Sequence, residues 1–369
     1  MKYIFFGDNL YDYGVGVANK VTTQVKVFNS QGLNCFLCIL PLYCIENKLL
    51  AKCLRRAPFI NLHKHWMISD FVEEECLYIR SAGGWDGAAV SFFRKLKEIK
   101  PEMKIVYEIP TYPYDGELAK SWKTLPILWK DKWNRRYLHQ FIDRIATLTD
   151  DKEIFGIPTL KIGNGINVDK IRPRKIRETA DIHAIAVSVC EWWHGYDRFI
   201  EGLRLYYAAN PQRKVFFHIV GQGSESDRYK RMIQNYGLEE YVIMHGYQTG
   251  ESLDNIYDQC NLGIASLGCY RKSLNETQEL KSREYAAKGL PFVTSVKISD
   301  IIQADKGDMY LQVPNNDSPV SIQNVIDFYD RIYAMDTENV NKRIRIYARE
   351  HFSMEDAMKE VIAFFKERG

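Results

Sequence analysis

No stretch of this 369-residue chain approaches the ~20 consecutive apolar residues that a membrane-spanning helix needs. The most apolar run, residues 35–45, is shorter and is broken by Pro41. The opening, MKYIFFGDN, sets an apolar run after a single lysine and then turns polar. It reads as the first strand of a domain and not as a secretory leader, so a cytoplasmic protein is expected. Cysteine is present without a pattern. Eight residues sit at irregular spacings, and the one Cys-x-x-Cys, Cys35 with Cys38, lies in a strand-like run with no second pair at metal spacing. Buried, reduced thiols are expected in place of zinc or redox chemistry. A strong charge excess is also missing: 50 basic against 47 acidic residues leave a net +3, too little to imply nucleic-acid binding. Fixed-period repeats and low-complexity tracts are absent, and residues 315–318 are no more than a short polar loop.

What is there is an ordinary soluble composition, 46% hydrophobic and 26% charged, in a chain long enough for two domains. Residues 3–6 read as a strand, Gly14 and Gly16 punctuate a loop, residues 17–30 carry helical periodicity, and residues 35–40 form a second buried strand. A helix at 90–100 and a strand at 104–109 follow. Such alternation predicts an α/β fold with parallel sheets. A second series begins near Ile182: strands at 184–189, 214–220, 241–244, 262–265 and 292–294, with helices at 197–209 and 225–236. Gly163, Asn164, Gly165 and Pro173 mark the segment between the series. The expected domains are residues 1–165 and 166–345, two Rossmann-like units facing a cleft. A charged C-terminal helix, residues 346–369, is placed to cross back to the first.

The most informative segment is residues 261–294, NLGIASLGCYRKSLNETQELKSREYAAKGLPFVT, which runs strand, polar loop, helix, glycine, strand. Glu276 falls in the loop and Glu284 eight positions on, inside the helix. Two carboxylates so spaced can face one ligand that spans the helix N-terminus, where free N–H groups suit a diphosphate. Lys281 and Arg283 lie in the same first turns and can add charge-assisted bonds.

This segment resembles the Glu-x7-Glu region of retaining GT-B glycosyltransferases of the family-four type, and LKSREYAAKGLPFV is particularly similar to bacterial members that build surface polysaccharides. IGNGINVDKI (162–171), HIVGQGSESDRYKRMI (218–233), HGYQTGESLDNIYDQCNLGIASL (245–267) and YEIPTYPYDGE (107–117) are similar too, so the likeness spans most of the chain. The resemblance implies a GT-B architecture and a nucleoside diphosphate sugar as donor. It implies transfer with retention to a glycan acceptor, and no metal or other cofactor. Glu284 would hold the ribose hydroxyls and Glu276 the hydroxyls of the transferred sugar. Gly221, Gly223, Thr277, Gln278, Glu279 and Leu280 would line the donor.

The chain departs from the family pattern where an Arg and a Lys, six residues apart, usually grip the diphosphate. Ser188 and His194 stand there. Lys281 is the preferred substitute, with Arg271 and Lys272 nearby. His194 reads equally as a phosphate donor or as a structural residue at a helix start. No Asp-x-Asp triplet occurs anywhere, which fits transfer in which the protein supplies the cations.

Weaker signals lie in the first half. Gly14, Gly16, Arg80, Tyr112 and Asp115 are candidates for the acceptor side. Glu108 is a candidate to assist deprotonation of the acceptor hydroxyl, against a structural role near Pro110 and Pro113. Residues 120–144 carry Lys120, Lys123, Lys130, Lys132, Arg135, Arg136 and Arg144 interleaved with Trp122, Leu125, Leu128, Trp129, Trp133 and Tyr137. That reads as a basic aromatic helix for a membrane surface, or as a helix whose aromatics face the core. The first alternative suits a lipid-linked acceptor at the inner face of the membrane. Two rival functions stand beside the transferase. One is another enzyme of this architecture, such as a nucleotide-sugar epimerase or a phosphorylase, the latter without a convincing lysine signature for pyridoxal phosphate. The other is a non-catalytic nucleotide-sugar-binding partner of a transferase.

Overall fold

Strands covered on both faces have to be apolar throughout, and runs such as KIVYEI and VFFHIV meet that demand. The structure, a computed structural model, describes residues 1–7, 9–13, 15–40, 47, 50, 53–54, 56–57, 60, 66–81, 83–118, 122, 124–177, 179–298, 301, 309–334 and 337–367. Gly14, Lys120 and Lys123 lie outside the described residues. The chain divides into two compact units, one made of Met1–Gly163 and Ala357–Gly369, the other of Asn164–Asp356.

The first unit holds β1 (Lys2–Phe6), β2 (Phe36–Leu40), β3 (Cys76–Arg80), β4 (Lys104–Ile109), β5 (Arg144–Thr147), β6 (Glu153–Ile154) and β7 (Ile157–Lys161). They form one sheet in the order β2-β1-β3-β4-β5-β7-β6, parallel except where β6 meets β7. Helices α1 (Val15–Ser30), α2 (Gly87–Ile99), α3 (Asp115–Leu118) and α4 (Leu125–Arg135) connect the strands. Helix α2 starts at Asp86, whose carboxylate accepts from the backbone N–H groups of Ala88 (3.1 Å) and Ala89 (3.0 Å). Its residues Ala89, Phe92, Phe93 and Leu96 then return to the core every three or four positions. The basic stretch is not one helix: α4 ends at Arg135, and Arg144 opens β5.

The second unit holds β8 (Ile182–Val187), β9 (Val215–Val220), β10 (Val242–Gly246), β11 (Leu262–Ile264), β13 (Phe292–Thr294) and β15 (Tyr310–Gln312) in one parallel sheet. A separate ribbon pairs β12 (Glu276–Thr277) with β14 (Lys297–Ile298). The helices are α5 (Tyr196–Tyr207), α6 (Ser226–Asn235), α7 (Gly250–Tyr257), α8 (Leu280–Lys288), α9 (Ile322–Tyr333), α10 (Thr337–His351) and α11 (Met354–Ala357), whose last residue, Ala357, is counted with the first unit. The main sheet runs β10-β9-β8-β11-β13-β15. Chain order therefore reverses between β8 and β11, and in such sheets ligands bind beyond the carboxyl ends of the strands at that point.

The last helix, α12 (Lys359–Lys366), groups with the first unit. The Phe365 ring meets Phe28 and Tyr78 edge-on, with centroids at 6.1 and 6.5 Å. Lys104 Nζ donates to the end carbonyls of Phe364 (2.7 Å) and Glu367 (2.6 Å), the placement a helix C-terminus favours.

Three neighbouring strands of the second unit carry a row of histidines. His183 Nδ1 lies 3.1 Å from His218 Nε2, and His218 Nδ1 lies 3.0 Å from His245 Nε2. Burial holds all three below the ordinary histidine range, and His218 reaches about 3 with the two flanking rings adding to the effect. A ring kept neutral in the fold but free to charge when unfolded stabilises above about pH 6.5, and that contribution is lost as pH falls toward the folded value. Moving from pH 7.5 to 5.0 should cost about 2 kcal/mol through His218 alone. Urea titrations of wild type and His218→Gln at both pH values check this. The variant should lose less by that amount, and equal losses would remove His218 as the cause.

Candidate functional site

At the carboxyl end of β8 the chain crosses to α5 through Ser188, Cys190 and a single turn, Trp192–His194. Ser188 Oγ lies 2.8 Å from the Tyr196 hydroxyl and 3.3 Å from His194 Nδ1. The backbone N–H of Glu191 donates to that same Nδ1 at 3.3 Å. A nitrogen that accepts a backbone N–H carries no proton, so in the neutral ring the proton sits on Nε2, where it can be donated. His194 is indeed held neutral: burial first, then the nearby Lys281 ammonium, lowers it to about 3.

Gly221 and Gly223, expected to line the donor, are explained first by backbone packing. Gly221 has φ +124°, and a Cβ there would stand 1.9 Å from the Ser188 carbonyl oxygen; at Gly223 it would stand 2.4 Å from that of Cys190. Only glycine lets the β9 loop run this close to the end of β8.

Across the switch point, the end of β11 brings in Ser266, which the sequence reading passed over. Its hydroxyl donates to Glu279 Oε2 (2.7 Å) and accepts from Lys281 Nζ (2.9 Å), while its backbone N–H donates to Glu279 Oε1 (3.2 Å). Glu279 and Lys281 are 3.5 Å apart. The signal for Ser266 was its position, directly after an apolar strand at the point of strand-order reversal. Burial lowers the Lys281 pKa, and Glu279 only partly restores it. Glu279 also occupies the cap position of α8, with Leu280 exposed at the first helical position.

Glu284 lies one turn into α8 and is mostly buried. Burial raises its pKa, with Lys288 and then Lys281 pulling the other way. Among the described residues its carboxylate has no hydrogen bond and no ion pair. A desolvated carboxylate without a partner is costly, and such groups collect where a ligand supplies the missing donors. Glu276 is not in a loop. It opens β12, is 42% exposed, and pairs at 3.5 Å with Lys297 on β14. Thr277 follows it in the ribbon. Gln278 turns inward and is tied to Asn164, accepting its backbone N–H at 3.3 Å and its side-chain amide at 3.0 Å through Oε1 and the carbonyl respectively.

The other cations expected near a diphosphate are committed elsewhere. Arg271 donates to both carboxylate oxygens of Asp197 (3.1 and 2.8 Å), to the Trp192 carbonyl (2.6 Å) and to Asp317 (3.1 Å). Lys272 Nζ rests 3.6 Å from the centroid of the Trp193 ring. Arg283 is fully buried, with its guanidinium over Phe352. That leaves Lys281 as the ammonium beside both His194 and Glu284.

In the first unit, Glu108 is fully buried on β4 inside an ion network. It pairs with Arg80, lies 3.6 Å from Lys20, and accepts from Tyr78 (2.7 Å) and Gln24 (3.0 Å). Its proton-accepting capacity is used up by those partners, which makes it a structural carboxylate and Arg80 its counter-ion. Asp115 is likewise tied to Arg135 (2.6 Å) and Lys132 (2.9 Å), and the Arg135 hydrogen bond draws its pKa down. The Tyr112 ring packs edge-on against Phe155 at 5.9 Å. Gly16 falls within α1.

Residues 182–331 match the family described as Glycosyl transferases group 1. No curated protein is significantly similar in sequence. Among solved structures, a glycosyltransferase from Rickettsia africae superposes with a TM-score of 0.63 at 12% identity, covering 99% of this chain and 97% of that one. HepE of Anabaena, in complex with UDP, gives 0.62 at 12% identity over 99% and 100%. The lipopolysaccharide outer core galactosyltransferase WaaB gives 0.57 at 14% identity over 100% of both chains. The family match falls on the unit that holds Ser266, Lys281 and Glu284, and over its whole length the chain has the two-domain GT-B fold of these glycosyltransferases: residues 182–331 are a group 1 glycosyl transferase domain.

Proposed function

We propose that this enzyme transfers a hexose-type sugar from a UDP-sugar to a glycan acceptor with retention at the anomeric carbon. The acceptor is a lipid-linked intermediate of surface polysaccharide assembly, met at the cytoplasmic face of the membrane. The observation that carries the donor side is Glu284, a mostly buried carboxylate with no partner among the described residues, set beside the Lys281 ammonium at the start of α8. The HepE complexes with UDP and with UDP-glucose support the choice of base.

In this reading Glu284 accepts from the two ribose hydroxyls, and the exposed Glu276 orients hydroxyls of the transferred sugar. The N–H groups at the start of α8, Lys281 and the Nε2 proton of His194 receive the charge that develops on the departing diphosphate. Lys281 thereby does the work of the missing Arg and Lys, and no metal ion enters. The departing phosphate oxygen takes the proton of the acceptor hydroxyl as the new glycosidic bond forms on the same face, so Glu108 is not needed as a base.

The test is calorimetric binding and slow hydrolysis across a panel of nucleotide sugars. One UDP-sugar should bind and release its sugar without acceptor. Binding without any turnover would favour the second reading, a non-catalytic nucleotide-sugar-binding partner, which Ser188 and His194 in place of the paired cations also favour. A well-folded protein that binds none of the panel would remove both.

A further inference from the structure

Helix α4 is amphipathic in the inverse sense. Its inward residues include Asp131 and Asn134 with Leu128, and Asp131 accepts from the backbone N–H groups of Gly84 (2.7 Å) and Trp85 (2.9 Å) and from the Tyr114 hydroxyl (2.8 Å). The helix is thus pinned to the first unit by a buried carboxylate. Its outward residues are the large apolar ones: Trp129 is 71% exposed, Trp133 63% and Leu125 38%, and just upstream Trp122 is 77% exposed. At 100° per residue, Leu125, Trp129, Lys132 and Trp133 share an arc of about 100°. The alternative in which these aromatics fill the core is therefore not the one the fold adopts.

Three exposed indoles on one short segment are not the scattered surface apolar groups of an ordinary monomer. Their surroundings say what covers them. Residues 120–136 carry six basic side chains and one acid, Asp131, which is buried and lies 3.4 Å from Arg135. Lys132 is on the exposed face, where it pairs with the part-exposed Asp115 at 2.9 Å, and the exposed Arg136 has its guanidinium 3.4 Å from the centroid of the Trp133 ring. A protein partner's interface core is depleted in charge, lysine above all. A bilayer surface asks for this very mixture: indoles settle at the boundary of headgroups and acyl chains, and Lys and Arg meet lipid phosphates.

We infer that α4 is an interfacial helix that seats this enzyme on an anionic phospholipid bilayer. Trp129 and Trp133 enter the headgroup boundary, and Lys132 and Arg136 pair with lipid phosphates. The inference deepens the reading of a lipid-linked acceptor and rests on it for its purpose. It is tested on the full chain without donor or acceptor, so the two fail separately.

The experiment is cosedimentation with phosphatidylcholine vesicles, with and without phosphatidylglycerol, at low and high salt. Wild type should partition to the anionic vesicles, and high salt should weaken the binding. Lys132→Gln with Arg136→Gln should lower the partition coefficient at least about tenfold and flatten its salt dependence, since each surface cation contributes about 1 kcal/mol. Trp129→Ser with Trp133→Ser should lower it at every salt concentration, with the thermal midpoint retained because both side chains face solvent. Failure of wild type to bind anionic vesicles overturns the proposal, as does equal binding by both variants. A wild type that is dimeric in solution, becomes monomeric in the tryptophan variant and ignores vesicles would assign the face to a second copy of the chain, which also overturns it.

Discussion

Replacing Lys281 by Met is expected to lower turnover by about 10²–10³-fold, the range seen when one preorganised charge-stabilising donor is removed from an active site. The side chain is almost enclosed, with Nζ bonded to Ser266 Oγ at 2.9 Å and 3.5 Å from Glu279. Burial draws its pKa down, so in the free enzyme the ammonium is under-compensated. A lysine whose folded pKa is depressed contributes stability above its ordinary range and costs stability once pH falls through the folded value and the group charges. Methionine, of similar length, should therefore leave the thermal midpoint unchanged or raise it. In the proposed reaction a diphosphate supplies the missing negative charge, and more of it as the glycosidic bond breaks. The interaction thus grows toward the transition state, and kcat should fall much further than donor binding. Arginine should not rescue, because its planar fork needs more room than a slot lined by Ser266, Glu279 and the Tyr196 ring gives it. Initial rates over a donor concentration series decide. A Met variant with wild-type kcat would return the charge-stabilising role to Arg271 or Lys272, the other candidates that the sequence offers.

The order of strands and helices was legible because parallel strands buried on both faces leave continuous apolar runs. The strands at 104–109 and 292–294 were placed with their observed bounds, and β8 within two residues. The strands that the pattern does not reveal are short ones, β3, β5, β6, β7, β12, β14 and β15, whose two to five residues give no periodicity to read. Residues 120–144 were read as one helix because the basic-aromatic mixture continues past the helix end. What stops α4 is the polar turn around Asn134 and Arg136, ahead of Arg144 in β5. In the site, the spacing of Glu276 and Glu284 was visible, but their environments were not. Nothing in ETQELKSRE says that Glu276 is exposed and paired with Lys297, or that Glu284 is mostly buried with no hydrogen bond or ion pair among the described residues. Glu108 shows the reverse error. A carboxylate in an apolar strand looked reactive, yet Arg80, Lys20, Tyr78 and Gln24 arrive from β3 and α1, which only tertiary packing brings together.

Replacing Glu284 by Gln should separate binding from stability in opposite directions. If its carboxylate accepts from two ribose hydroxyls, the variant exchanges two charge-assisted bonds, each contributing about 1.5–3 kcal/mol, for weaker neutral ones and one misplaced donor. UDP affinity should fall about 100-fold or more, read by calorimetry. The free protein should meanwhile become more stable at neutral pH. Burial raises the folded pKa of Glu284 above the ordinary glutamate value. An acid shifted that way contributes stability that is fully present in acid and is lost as pH rises through the folded value, so at pH 7.5 the ionised group is a net cost. Glutamine removes that cost. Its urea midpoint should exceed that of wild type at pH 7.5, and the advantage should vanish near pH 4, where both side chains are neutral. A merely structural carboxylate would lose stability and leave UDP affinity alone. A variant that loses both would mean that Glu284 has a protein partner in solution. Only weaker binding together with higher stability identifies a carboxylate whose desolvation is offset by a ligand.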